Sequence, residues 1–178
     1  ETALDASVSG GDNTAIGKNA LTALTSGARN NALGSGALAA ITTSNNNNAF
    51  GYQALTNNTS GASNNGFGKS VLDANTSGSF NTAMGHNALG ANTSASDNAA
   101  YGYQTLATNT TGSSNTAMGS GAQDASTTAS NTVAIGKDAL TDLTTGSQNV
   151  AVGSNALANT TTSACLLYTS PSPRDRSL

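Results

Sequence analysis

His86 is the single histidine of this 178-residue chain and Cys165 its single cysteine. A lone imidazole does acid–base or nucleophilic work only beside a carboxylate or hydroxyl within hydrogen-bond reach. Serine and threonine are plentiful, but no His/Asp partner arrangement recurs next to them. Asp73, Asp97, Asp124, Asp138 and Asp142 do not share one place in any repeating pattern, so no paired-carboxylate site follows from the sequence. The calcium-binding Gly-Gly-x-Gly-x-Asp repeat is absent. The 20 glycines precede no Walker-type lysine, so they do not form a phosphate loop. One cysteine supplies neither a disulfide framework nor a metal cluster. These residues point away from an enzyme and imply no cofactor and no metal.

Composition narrows the classes further. Only 8% of residues are charged, and the net charge is -3, which argues against a basic patch for nucleic acid or anionic membrane. No apolar run reaches the ~18 residues of a membrane-spanning helix, so no membrane insertion is expected. Abundant Asn, Ser and Gly can mark disorder. A strict internal repeat opposes that reading.

Gly17, Gly34, Gly51, Gly68, Gly85, Gly102, Gly119, Gly136 and Gly153 follow one another at intervals of 17 residues without a slip. An apolar residue precedes each: Ile16, Leu33, Phe50, Phe67, Met84, Tyr101, Met118, Ile135 and Val152. Ala stands before that, except for Gly66. Four residues after the glycine comes Leu, replaced once by Gln123, and eight after it always Thr. The unit reads Asn-x-Ala-Φ-Gly-x-x-Ala-Leu-x-x-x-Thr-Ser/Thr-Gly-x-x, where Φ is apolar. Ala3 and Leu4 match Ala20 and Leu21, so the array opens in mid-repeat. Both ends read as cut, the expectation for a fragment of a longer protein.

A helical repeat needs two helices and more than ~30 residues. This unit is shorter, and its Gly, Asn and Thr disfavour helix. The expected fold is all-β: a parallel β-solenoid of nine to ten 17-residue coils over residues 1–164. Asn13-Thr-Ala-Ile-Gly17 alternates like a strand, with Thr14 and Ile16 on one face and Ala15 on the other. After a sharp turn at Gly17, Lys18–Leu21 is expected to form a second strand. Thr25-Ser26-Gly27 is turn chemistry, and the Asn column is expected to stack as an amide ladder. One Leu, one Φ residue and two Ala are a small apolar payload for ordering a whole coil. That shortfall predicts chain–chain packing, with the small Ala column as the expected contact.

The pair after each ruler glycine varies, which marks an exposed position. Tyr52, Gln53, Lys69, His86, Tyr103, Gln104 and Lys137 offer aromatic, amide and charged groups there, chemistry that suits a glycan or protein receptor. Asn58, Asn75, Asn92, Asn109 and Asn159 head formal Asn-x-Ser/Thr glycosylation sequons, which the repeat already explains through its turn. The Thr25-type column offers a second use, an ordered hydroxyl array against ice, although adjacent hydroxyl residues leading into Gly suit a turn better than a flat strand.

Asn13-Thr-Ala-Ile-Gly17, Asn81-Thr-Ala-Met-Gly85, Asn115-Thr-Ala-Met-Gly119, Val133-Ala-Ile-Gly136 and Val150-Ala-Val-Gly153 resemble the head repeats of YadA-type trimeric autotransporter adhesins. Gly51-Tyr-Gln-Ala-Leu55 and Gly102-Tyr-Gln-Thr-Leu106 resemble a variant found in phage tail-fibre-like proteins. The resemblance covers residues 1–164. It implies a left-handed parallel β-roll, a homotrimer, and a place on a cell surface or virion tail, outside the cell. The implied function is a structural and adhesive fibre segment with a multivalent binding surface. A monomeric ice-binding solenoid and a non-catalytic piece of a polysaccharide-binding tailspike are the alternatives. Adhesin head repeats are usually nearer 14 residues, and the extra residues here lengthen the Thr-Ser-Gly side. The register stops at Ala164. The tail 165–178 holds both prolines and the only cysteine, and from Cys165 through Asp175 it resembles a translated transposase adapter of sequencing-library preparation. It is expected to be a non-native, disordered segment.

Overall fold

A computed structural model describes residues 2–4 and 9–169. Its strands are three residues long and number ten among the described residues, from β1 (Thr14–Ile16) and β2 (Asn31–Leu33) to β9 (Val150–Val152) and β10 (Leu167–Thr169). They pair in parallel, in sequence order, each shifted by one repeat: Ala15 faces Ala32, and Ala134 faces Ala151. The chain is therefore a β-solenoid with one coil per 17-residue unit.

The glycine ruler has a steric cause. Gly51 has φ +143°, and a Cβ on it would lie 2.2 Å from the Gly68 carbonyl oxygen of the next coil. Both the backbone conformation and the close stacking exclude a side chain. The expected sharp turn is there.

The expected second strand is not. Asn19 has φ 58° and Leu21 φ 53°, and both positions are left-handed in every coil described. Alternate left-handed residues curl Lys18–Leu21 into a tight turn rather than an extended strand. The leucine tolerates this because it is fully buried. A left-handed L-residue costs roughly 1–2 kcal/mol, and burying a leucine contributes about 1.5–3 kcal/mol. Burial wins, and the corner aims the side chain into the coil. Leu4 shares the φ of 53°, which places the partial first copy in the same column.

The core is a stack of three inward columns: the strand alanines (Ala49, Ala83, Ala117), the turn alanines (Ala54, Ala88, Ala139) and the corner leucines (Leu55, Leu89, Leu140), all at 0% exposure. The Ala column expected to meet a neighbouring chain is thus spent inside its own coil. One coil exchanges volume between columns. Gly66 replaces a strand alanine where Val71 replaces a turn alanine, and a Cβ at Gly66 would come within 3.0 Å of Val71 Cγ1.

Polar ladders close the rest of the contour. The Oδ1 of buried Asn64 accepts from the Asn81 backbone N–H at 3.0 Å, while its Nδ2 donates to the Gly78 carbonyl at 2.7 Å. The expected amide ladder is thus present, and each rung also ties a turn of the next coil. A second buried ladder runs through Asn58, Asn75, Asn92 and Asn109, whose side chains bond one to the next at 2.8–3.1 Å. Thr59 and Thr76 donate their hydroxyls to the threonine carbonyl of the following coil at 3.0 Å. Pairing continues past Ala164: Leu167, Tyr168 and Thr169 lie in register with Val150, Ala151 and Val152. The remainder of the tail, 170–178, lies outside the described residues.

Candidate binding surface

Strands β1 to β9 each end just before a ruler glycine, and the residue after that glycine turns outward. Seventeen-residue stacking then sets Ser35, Tyr52, Lys69, His86, Tyr103, Ser120 and Lys137 in one line along the rod, each about 4.8 Å from the next. Of the residues expected to bind, Tyr52, Lys69, His86 and Tyr103 form an unbroken four-coil block. Lys137 stands apart, beyond Ser120. Gln53 and Gln104 follow their tyrosines at left-handed corners, with φ 54° and 52°. Gln53 is exposed and Gln104 half-buried.

The block is more organised than its sequence column suggests. The His86 and Tyr103 rings stack, with centroids 5.5 Å apart and planes 18° from parallel. Tyr52 and Tyr103 are 51% and 53% exposed, so both keep much of their ring surface open to solvent. Lys137 pairs with Asp138 beside it. The stack was within reach of sequence reasoning, because residues 17 apart in an outward column must be neighbours.

A different surface went unread in the sequence. Because strand alanines point inward, the Φ residues point outward. Ile16 is 58% exposed, Met84 48% and Met118 47%. With Leu33, Phe50, Phe67, Tyr101, Ile135 and Val152 they form one apolar line down the sheet. Phe50 and Phe67 stack within it, centroids 4.8 Å apart and 4° from parallel. Beside the line, Asn31, Asn48 and Asn65 make an outer amide ladder at 2.7 Å. The alternation that fixed Ala15 and Ile16 on opposite faces held this information. Only the choice of inward face was missing.

Three carboxylates of adjacent coils, Asp124, Asp138 and Asp142, lie near enough to interact. Burial raises the Asp124 pKa above the usual carboxylate value, and the charges of Asp138 and Asp142 on the next coil push it the same way. Burial alone raises Asp73, against backbone N–H groups that lower it. Among the described residues no three His, Cys, Asp or Glu side chains are placed to hold a metal ion, and no enclosed pocket is present.

The hydroxyl columns divide in two. Thr59, Thr76 and Thr93 spend their donors on carbonyls of the next coil. Their neighbours Ser60, Ser77 and Ser94 are exposed, and their hydroxyls make no bond within the chain. Both columns are exposed, and they differ in that the threonine protons are committed to the next coil while the serine hydroxyls are not. Four of the five sequon asparagines, Asn58, Asn75, Asn92 and Asn109, are at 0% exposure inside their ladder. Asn159 alone of the five is exposed.

Compared with known proteins, the chain matches no family model, no curated sequence and no solved structure.

Proposed function

We propose that this chain is a rod segment of a homotrimeric surface fibre, a structural and adhesive module that carries a binding surface away from its anchor. The observation that supports it most is the outward apolar line from Ile16 to Val152. Soluble monomers rarely expose a contiguous apolar patch of such length. Nine rungs at the sheet spacing make a line about 40 Å long. Three such sheets facing a common axis would cover it, and the stacked Phe50 and Phe67 would lie within the contact. The resemblance to adhesin head and tail-fibre repeats supports the same number of chains and an extracellular setting. The variable column with Tyr52, Lys69, His86 and Tyr103 follows the turn out of the sheet and carries the contacts to a receptor. Repetition along three chains would make weak contacts multivalent.

Sedimentation of the full chain at several concentrations tests this reading. The expected species has three times the 17.4 kDa chain mass. Met84→Glu, which sets a charge in the middle of the apolar line, is expected to return it to the monomer with its β signal intact. A wild-type chain that stays monomeric at every concentration would overturn the trimer.

A further inference from the structure

We propose that the step beside Tyr103, floored by Ser120 and Gly121, is a subsite for one pyranose ring of a neutral oligosaccharide. The geometry begins with the His86–Tyr103 stack. The two rings stand one rung apart and stack 18° from parallel. His86 covers one face of Tyr103. The other looks toward the next coil, where the outward pair is Ser120 and Gly121, with Ser35 and Gly36 the smallest pairs on the column. The column does not fill again until Lys137, two rungs or about 9.6 Å from Tyr103. Stacked carbon atoms need about 3.5–4.0 Å on each side, so the gap admits one ring.

The rim carries the polar groups that a sugar requires. A Cβ on Gly121 would lie 2.5 Å from Asp138 Oδ1, so that carboxylate already reaches across the glycine, held by Lys137. It accepts hydrogen bonds from ligand hydroxyls. The Ser120 hydroxyl and the Gln104 amide make no bond within the chain and border the same step. An apolar ring face with a carboxylate, a hydroxyl and an amide around it matches a pyranose, which shows C–H bonds on its faces and hydroxyls at its edge. Pairing of Lys137 with Asp138 leaves the step near neutral, which favours an uncharged sugar over a uronate or sialic acid. The site is a shallow step, so one ring binds weakly and a fibre gains affinity through copies.

This assignment rests on reading the column as the binding face, and its test separates the two. The full chain is titrated with maltohexaose, cellohexaose and mannohexaose by saturation-transfer NMR, and the same samples are sedimented. At least one hexaose is expected to receive saturation through its ring protons. Tyr103→Ala is expected to weaken that binding about tenfold, and Tyr103→Phe to keep it. Ser120→Tyr is the sharper variant. Tyrosine already stands at this position in two other coils, so the fold accepts it, and there it would fill the step and abolish binding. No transfer to any of the three sugars from a trimeric sample would overturn the sugar step and leave the fibre reading standing. Transfer from a monomeric sample would keep the step and remove the trimer. Binding that survives Ser120→Tyr, or a proline-rich peptide that binds this step in place of the sugars, would overturn the assignment.

Discussion

The coil from Gly85 to Tyr101 and the coil from Gly119 to Ile135 trace the same path but fill it with different chemistry. In the first, Leu89, Asn92 and Asn98 face inward. Asn92 donates to Asn75 Oδ1 at 2.8 Å and to the Ala95 carbonyl at 3.1 Å, and the leucine packs among alanines. In the second, the same places hold Gln123, Ser126 and Thr132, all buried. They touch one another: Thr132 Oγ1 lies 2.7 Å from Gln123 Oε1, and the Gln123 amide nitrogen 3.3 Å from Ser126 Oγ. Thr132 Oγ1 also lies 2.7 Å from Asn115 Oδ1. One hydroxyl proton cannot serve both oxygens. Turning the Gln123 amide over resolves this, since threonine then donates to Asn115 and accepts from glutamine. The corner φ barely differs, 52° at Leu89 and 54° at Gln123. The backbone contour is therefore set by the glycines and corners, while the interior needs only internal consistency. Three substitutions behave as one, because any of them alone would leave a buried polar group unmatched.

The exchange is not complete. Serine is too short to continue the second asparagine ladder, and Asn109 Oδ1 is left buried without a partner. The largest effect should therefore come from separating the three. Leu89→Gln puts an amide where no hydroxyl waits for it and should cost roughly 3–5 kcal/mol in a thermal or denaturant melt. Gln123→Leu, the reverse change in the other coil, should cost less, about 1–2 kcal/mol, because only the small Ser126 and Thr132 hydroxyls lose a partner. Equal costs would show that the two coils are not internally matched sets.

A smaller change, and of opposite sign, is expected from making the second coil like the first. Gln123→Leu, Ser126→Asn and Thr132→Asn together should gain about 1 kcal/mol, because an asparagine at 132 can accept from the Asn149 N–H as Asn98 Oδ1 accepts from Asn115, while the one at 126 only passes the unpaired oxygen on to face Leu143. If the triple variant is less stable than the natural chain, the interrupted inner ladder is not the weak point of this coil.

The smallest expected effect lies at the surface of the same coil. Asp124 has its pKa raised in the folded chain, by burial and then by Asp138 and Asp142. A carboxyl that holds its proton more tightly when folded makes folding more favourable at low pH. That contribution is lost as pH rises from the ordinary carboxylate value of 3.8 through the raised one. Asp124→Asn should flatten the pH dependence across this window and raise stability near neutrality. Solvent screens the group, so the gain should stay below about 0.5 kcal/mol. Melts from pH 3 to 7 at low salt read it directly, and an unchanged slope would remove Asp124 as its source.

Much of this fold was legible because a rung repeats what it needs. The constancy of Gly51 reflected a left-handed φ and a collision with the next coil. The Asn64 column was readable as a ladder because amides at one place in every unit have each other as neighbours. The error at Lys18–Leu21 came from propensity. Leucine is rarely left-handed, and nothing local says that burial will override that preference at Leu21. The inward direction of the Ala column was equally hidden, since alternation separates Ala15 from Ile16 without saying which faces the core. The side chains of the His86–Tyr103 pair were legible singly. Their stacking follows once the coil length is taken as a distance in space.

The buried sequons bear on where this protein can be made. Oligosaccharyltransferase modifies asparagines on a growing chain in the secretory pathway, before a coil has closed over them. Asn58, Asn75, Asn92 and Asn109 sit inside the finished rod with their amides committed to neighbouring coils. A sugar attached early to any of them could not be enclosed, and the coil could not close. Production in yeast or mammalian secretion would meet this four times over, whereas a bacterial cytosol would not meet it at all.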